Sequence, residues 1–320
     1  MNTIVVNKRD RAIDLVKFFA TLLVLNSHME ICYPKYSFLA TGGAIGDSLF
    51  FFASGLALSI STPPYLLIYI NKRIGRLFPV LLAAAIVGLL FGIDKSFSNF
   101  IIAGDYWFVQ CIFLYYIVVY PMLKCRDKSR FLIISLITAI SYFVFYFLFF
   151  DITKYGMIYG INYYRWGLFF LILLQGVYIK RFISKSGSWV NVIYLLLCVA
   201  TYYAILYSLK SSLLQIVSLV PLMGVNYNLY KIGNINSIEK IINTSKVGKI
   251  ALFIGALCFE CYLVQKFIIS EVWNNLFPLN LLLIVGLVLL LSYATHHLAV
   301  ILSCVLRNEL ITKEKFKIIK

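Results

Sequence analysis

Residues 12–31 read AIDLVKFFATLLVLNSHMEI, an apolar run as long as a bilayer is thick, interrupted by Asp14, Lys17, His28 and Glu30. About 20 apolar residues suffice for a transmembrane helix. A charged group at the bilayer centre costs at least about 2.5 kcal/mol on insertion scales, so such residues face a bundle interior or a wet cavity and mark function. Lys17 and His28 are eleven positions apart, close to three turns at about 100° per residue, which puts both on one face roughly 16 Å apart along the axis. Asp14 and Thr21 fall near the same stripe. The spacing predicts that Lys17 and His28 look onto one shared hollow.

The rest of the chain has the same character. It has 320 residues, 62% hydrophobic and 13% charged, which excludes an ordinary soluble domain. Apolar runs predict about ten spans, roughly 12–31, 43–61, 77–93, 106–123, 131–150, 158–179, 189–209, 211–230, 250–270 and 279–306. The fold class expected is an all-α integral membrane protein, a single polytopic domain over residues 1–320, with the longest loop near 231–249. The tail after Arg307 is basic and is expected either on the membrane surface or frayed.

The formal charge of +16 has a topological explanation. Most Lys and Arg residues fall in 8–11, 72–76, 124–130, 180–185, 231–249 and 307–320; only Lys35, Lys95, Lys154, Lys210 and Arg165 fall in the alternate connections. The positive-inside rule then puts both termini in the cytoplasm. No basic stripe interleaved with aromatics is left over, so no nucleic-acid partner is expected. The first span is too long and polar for a cleaved signal peptide. Of seven cysteines only Cys32 falls on the outer side, so no disulfide framework is expected. Cys258 and Cys261 have C-x-x-C spacing but no second pair, which favours buried apolar cysteines over zinc. No metal site is expected.

Several groups suit chemistry. His28 with Glu30 beside it reads as a general base and its orienting carboxylate, or as a histidine at the lipid–water boundary. Arg73 and Arg76 share a helix face and could fork around phosphates, with Gly75 admitting a ligand to the backbone, although Arg is common in such loops for topology alone. The glycines of Gly42–Gly55, GGAIGDSLFFFASG, read as close helix packing. Asp47 within that stretch could line a cavity or cap the helix. Asp105 and Trp107 open the fourth span, where Trp serves as an interface anchor. Glu260 is an intramembrane carboxylate and is expected to face a cavity. His296 and His297 read as hydrogen-bonded inside the bundle.

Taken in order, these segments resemble the membrane-bound acyltransferase 3 family, many of whose members O-acetylate bacterial surface glycans. Arg11 to Lys17 followed by Leu23 to His28 is similar to the family's first-span motif of a basic residue, ten positions and a histidine. Gly46 to Gly55 resembles its second span, Lys72-Arg73-Ile74-Gly75-Arg76-Leu77-Phe78-Pro79 its R-x-x-R loop, Trp107 to Pro121 its fourth span, and Phe259 to Leu263 its late aromatic-Leu span. The sequence departs at Lys17, where arginine is typical, and at Gln265, where a histidine often stands. The resemblance implies about ten spans in a bacterial cytoplasmic membrane with both ends inside, in agreement with the charge count. It implies acetyl-CoA as co-substrate rather than a resident cofactor, and a lipid-linked or surface glycan as acceptor. Arg73, Gly75 and Arg76 would hold coenzyme A. His28 would be base or acyl carrier, Glu30 its partner, and Asp14 and Lys17 would line the route between them, about as long as a pantetheine arm. A transporter or flippase of lipid-linked sugars is the alternative reading; a polymerase would bring a large outer loop that is not seen.

Overall fold

The computed structural model of the chain describes residues 10–60, 65–92, 106–160 and 162–319. Among these, every regular element is helical: α1 Arg11–His28, α2 Gly43–Leu58, α3 Leu66–Leu90, α4 Trp107–Val118, α5 Tyr120–Lys124, α6 Lys128–Phe149, α7 Ile152–Tyr155, α8 Tyr164–Phe182, α9 Val190–Leu209, α10 Leu219–Gly233, α11 Asn236–Thr244, α12 Lys246–Ala256, α13 Cys258–Ile268 and α14 Leu279–Leu306. Asp105, Lys95, Lys320 and residues 1–9 lie outside the described residues. Helices close all their own backbone bonds, which is what lipid demands.

Six described stretches are long and apolar enough to cross a membrane, and α12 with α13, bent by 77° at their junction, make a seventh if counted as one broken span. The expectation of ten spans is therefore supported only in part. α4 has 12 residues, while α1 carries Arg11, Asp14 and Lys17 and α8 carries Arg165, Lys180 and Arg181. Charge, rather than length, keeps these last two from qualifying. Two further expectations are corrected. Arg73 and Arg76 are in no loop: α3 starts at Leu66 and carries the R-x-x-R turn inside the helix, with Pro79 beyond it. The stretch 231–249 is largely helix, with α11 lying between α10 and α12.

α1 occupies the middle of the bundle, packed on α2, α10, α12 and α13. Its buried face runs through Ala12, Asp14, Val16, Ala20, Thr21 and Val24. By contrast α9 buries only Tyr202, and α6 only Phe131, Tyr142 and Tyr146. Their exposed Leu, Ile and Phe side chains suit acyl chains and need no protein partner.

Small residues set the closest crossing. A methyl at Gly55 of α2 would overlap the Leu173 carbonyl of α8, and one at Gly176 of α8 would overlap the Phe52 carbonyl of α2. The backbones touch there, as the glycine-rich reading of the second span anticipates.

The basic segments gather at one end. Asp10 accepts from Lys180 and from the Tyr230 hydroxyl, 3.1 Å away, and pairs with Lys185 at 3.2 Å. Burial would raise the Asp10 pKa, but the two lysines outweigh it and hold the carboxyl below its usual value. Lys231 Nζ donates to the carbonyls of Ser184 and Ser186, and Arg181 donates to those of Leu123 and Cys125. The tail turns back at Asn308, φ 52°. Phe316 meets the His297 ring, and Ile319 joins Leu15, Ile242 and Leu252. The end of the tail is thus docked on the bundle, and both described ends of the chain share one end of the molecule.

Gly55→Ala is expected to lower the thermal midpoint in detergent, at a cost of about 1–3 kcal/mol for forcing the crossing apart. Gly286→Ala, where nothing lies within 4 Å, should leave it unchanged or slightly raised. Equal midpoints for the two variants would contradict the contact.

Candidate active site

The break between α12 and α13 brings three of the predicted groups together. At Gly255, two residues before the break, a methyl would overlap the Asp14 carbonyl of α1, so α12 ends in direct backbone contact with the first helix. The chain then turns, and Cys258 and Glu260 open α13 beside α1. Asp14, Lys17 and Glu260 all act electrostatically on Cys258. Asp14 and Glu260 are each 5% exposed, so these carboxylates sit where water is scarce.

Lys17 lines a cavity of about 170 Å³ together with Ser54, Phe108, Tyr116, Cys258 and Tyr262. Tyr116 in turn lies within electrostatic reach of Arg73 and Arg76. Arg73 is buried, with its guanidinium 5.3 Å from the centre of the Tyr69 ring. The hollow anticipated along α1 therefore exists on the Lys17 side and adjoins the paired arginines through a single phenol. Thr21 is a different case. Its hydroxyl donates to the Lys17 carbonyl at 2.8 Å, a bond within the helix, and so adds no free polar group to the stripe.

His28 is not among the residues lining this cavity. It ends α1, exposed, roughly 16 Å further along the axis, within electrostatic reach of Lys266. The Lys266 ammonium stands 5.4 Å over the Tyr106 ring. Glu30 lies in the 3₁₀ turn Glu30–Cys32, exposed, and no bond to His28 forms among the described residues. Helix geometry explains this: residues two apart on a helix do not face each other, and the 3₁₀ turn that follows α1 does not bring Glu30 back to His28.

Glu260 does not face the cavity as an isolated acid. Its Oε1 lies 2.7 Å from His296 Nδ1 of α14. A carboxylate at that distance orients the imidazole. The neighbouring His297 contacts the Tyr293 carbonyl at 3.0 Å instead. Because the Glu260–His296 pair joins two helices 36 positions apart, spacing along one helix gives no signal for it.

Towards the other end, Asp47 and Trp107 are joined by a residue that sequence reasoning assigned to topology alone. Arg165, at the start of α8, is 7% exposed; its guanidinium lies 3.7 Å from the Trp107 ring centre and within electrostatic reach of Asp47. The ring face favours the cation. Asp47 is the fifth residue of α2, whose N-cap is Gly42, so it is not a cap.

Residues 10–297 match the acyltransferase 3 family model, described as an acyltransferase domain. The chain belongs to the acyltransferase 3 family. Among curated proteins and among solved structures, none matches it. The match covers nearly all the described helices of this membrane acyltransferase, and it includes the first-span lysine and histidine, the R-x-x-R turn and the broken span. All seven cysteines are unpaired, and among the described residues no group of His, Cys, Asp and Glu comes close enough to hold a metal ion.

Glu260 and His296 are expected to be coupled. A double-mutant cycle of Glu260→Gln and His296→Ala, read by thermal unfolding in detergent, should give an interaction energy of about 1–3 kcal/mol. Strictly additive effects would show that the pair contributes nothing.

Proposed function

We propose that this acyltransferase moves an acetyl group from cytoplasmic acetyl-CoA to a sugar hydroxyl of a lipid-linked or cell-surface glycan in a bacterial cytoplasmic membrane. The observation that supports this best is the cavity lined by Lys17 and by Tyr116, with Arg73 and Arg76 in electrostatic reach of Tyr116. Phosphates of coenzyme A would dock on the arginines, as paired guanidiniums suit phosphoryl oxygens. Gly75, with no side chain, lets that docking come close to the α3 backbone. The pantetheine arm would then enter the cavity towards Lys17, whose ammonium could stabilise charge developing on the thioester oxygen. Asp14 lies three residues before Lys17 and keeps the cation from standing alone at depth.

In this reading His28 serves the acceptor. As base it takes the proton of the sugar hydroxyl, the oxygen forms an ester bond to the acetyl carbon, and the coenzyme leaves as a thiolate. As carrier its imidazole first takes the acetyl group and then passes it to the sugar. The separation between His28 and the Lys17 cavity favours a carrier, or a reacting arm that reaches the full length of α1. Asp47, Trp107 and Arg165, already partnered with one another, would shape the acceptor side.

Transfer of labelled acetyl from acetyl-CoA to surface glycan tests the proposal in cells expressing equal amounts of each variant. His28→Ala is expected to lower transfer by about 10²–10⁴-fold, the usual contribution of a general base. Arg73→Ala is expected to raise the KM for acetyl-CoA by about tenfold, since hydrogen bonds between charged groups are worth about 1.5–3 kcal/mol. Normal labelling in His28→Ala would remove His28 from the reaction. Loss of surface glycan with undiminished acetylation would favour transport instead.

A further inference from the structure

We infer that Arg307 is a third cation of the donor site and binds the 3′-phosphate of coenzyme A; this rests on the donor assignment made above. Arg307 is the first residue after α14 and lies beyond residue 297, where the family match ends. Its guanidinium donates to the Gly75 carbonyl at 2.8 Å, the carbonyl between Arg73 and Arg76. Arg76 feels the charges of both Arg73 and Arg307. Three guanidiniums from two helices thus converge around one turn of α3.

Topology does not require this convergence. The positive-inside rule accounts for the number of basic residues at one end, but not for stacking like charges against each other. Glu309 lies in electrostatic reach of Arg307 and is itself held by Lys315 at 2.8 Å. Clustered cations repel, and a polyanion bound among them relieves that repulsion.

The chemistry of coenzyme A matches the arrangement. It carries a diphosphate and, apart from it, a 3′-phosphomonoester. Arg73 and Arg76, one helical turn apart, suit the two linked phosphoryl groups. Arg307 enters from a different helix and uses only one of its five N–H donors on Gly75, which leaves a fork for a separate monoester.

The test is equilibrium binding of coenzyme A and of dephospho-coenzyme A, which lacks the 3′-phosphate, to the full chain in nanodiscs at low salt. The wild type should prefer coenzyme A by about tenfold. Arg307→Gln keeps an N–H donor for Gly75 but loses the charge, and should cut that preference to about twofold or less while leaving dephospho-coenzyme A affinity unchanged. Arg307→Lys should recover part of the preference. A purely structural tie between α14 and α3 predicts instead that Arg307→Gln weakens both nucleotides alike, and that result, or an undiminished preference, would overturn the inference. If the wild type binds neither nucleotide, the donor assignment itself fails.

Discussion

A charge that lipid cannot solvate must find its partner inside the protein, and the arrangement of α1 follows from that constraint. Asp14 and Lys17 lie one turn apart at a depth where each alone would be costly. The bundle answers with a broken span. α12 stops against the Asp14 backbone at Gly255, and α13 restarts at an angle of 77° with Cys258 and Glu260 facing the same region. A straight helix through this position would carry Glu260 past α1 without turning it inward. The bend also opens the Lys17 cavity, because two short helices meeting at an angle cannot fill the space that one continuous helix would.

The same constraint separates two kinds of polar cluster. Glu260 with His296, and Arg165 with Asp47 and Trp107, are groups whose partners are already in place. They are suited to holding helices in register or orienting a neighbour. Lys17, by contrast, borders open volume, and the arginines of α3 stand near it, with Arg76 under the charge of both Arg73 and Arg307. Charge gathered beside open volume, rather than the presence of charge, is what points to the donor side of the proposed reaction. His28 is distinct from both groups: it stands exposed at the far end of α1, facing a cation rather than an acid.

What was legible in the sequence was local. Hydropathy located the helices, and the order of short motifs matched the family. Gly55 marked a close crossing because small residues in a span have few other uses. Counting spans was less secure, since the charges that make α1 and α8 informative also lower their hydropathy. The R-x-x-R turn looked like a loop because topology rules count basic residues without asking whether the helix has already begun; α3 starts seven residues before Arg73. The contacts between distant segments had no sequence signature at all. Glu260 to His296 and Arg307 to Gly75 join helices through the fold, and Glu30 failed as a partner for His28 because residues two apart on a helix do not face each other.

The tail makes contacts that composition alone does not show. Alternating basic and apolar residues after Arg307 suggest a membrane-surface segment. Yet Phe316 meets His297, and Ile319 packs with Leu15 of α1. These apolar contacts span the distance from α14 to α1 and anchor a segment that also carries Lys313, Lys315 and Lys317. Docking it costs chain entropy on the order of 1 kcal/mol or more per residue, so a tail useful only for its charge would gain by staying loose. An anchored tail instead fixes Arg307 at its root, beside the carbonyl it binds. The site on α3 is therefore built from the end of the chain as well as from its beginning, with α1 supplying the cavity and α14 supplying the third guanidinium.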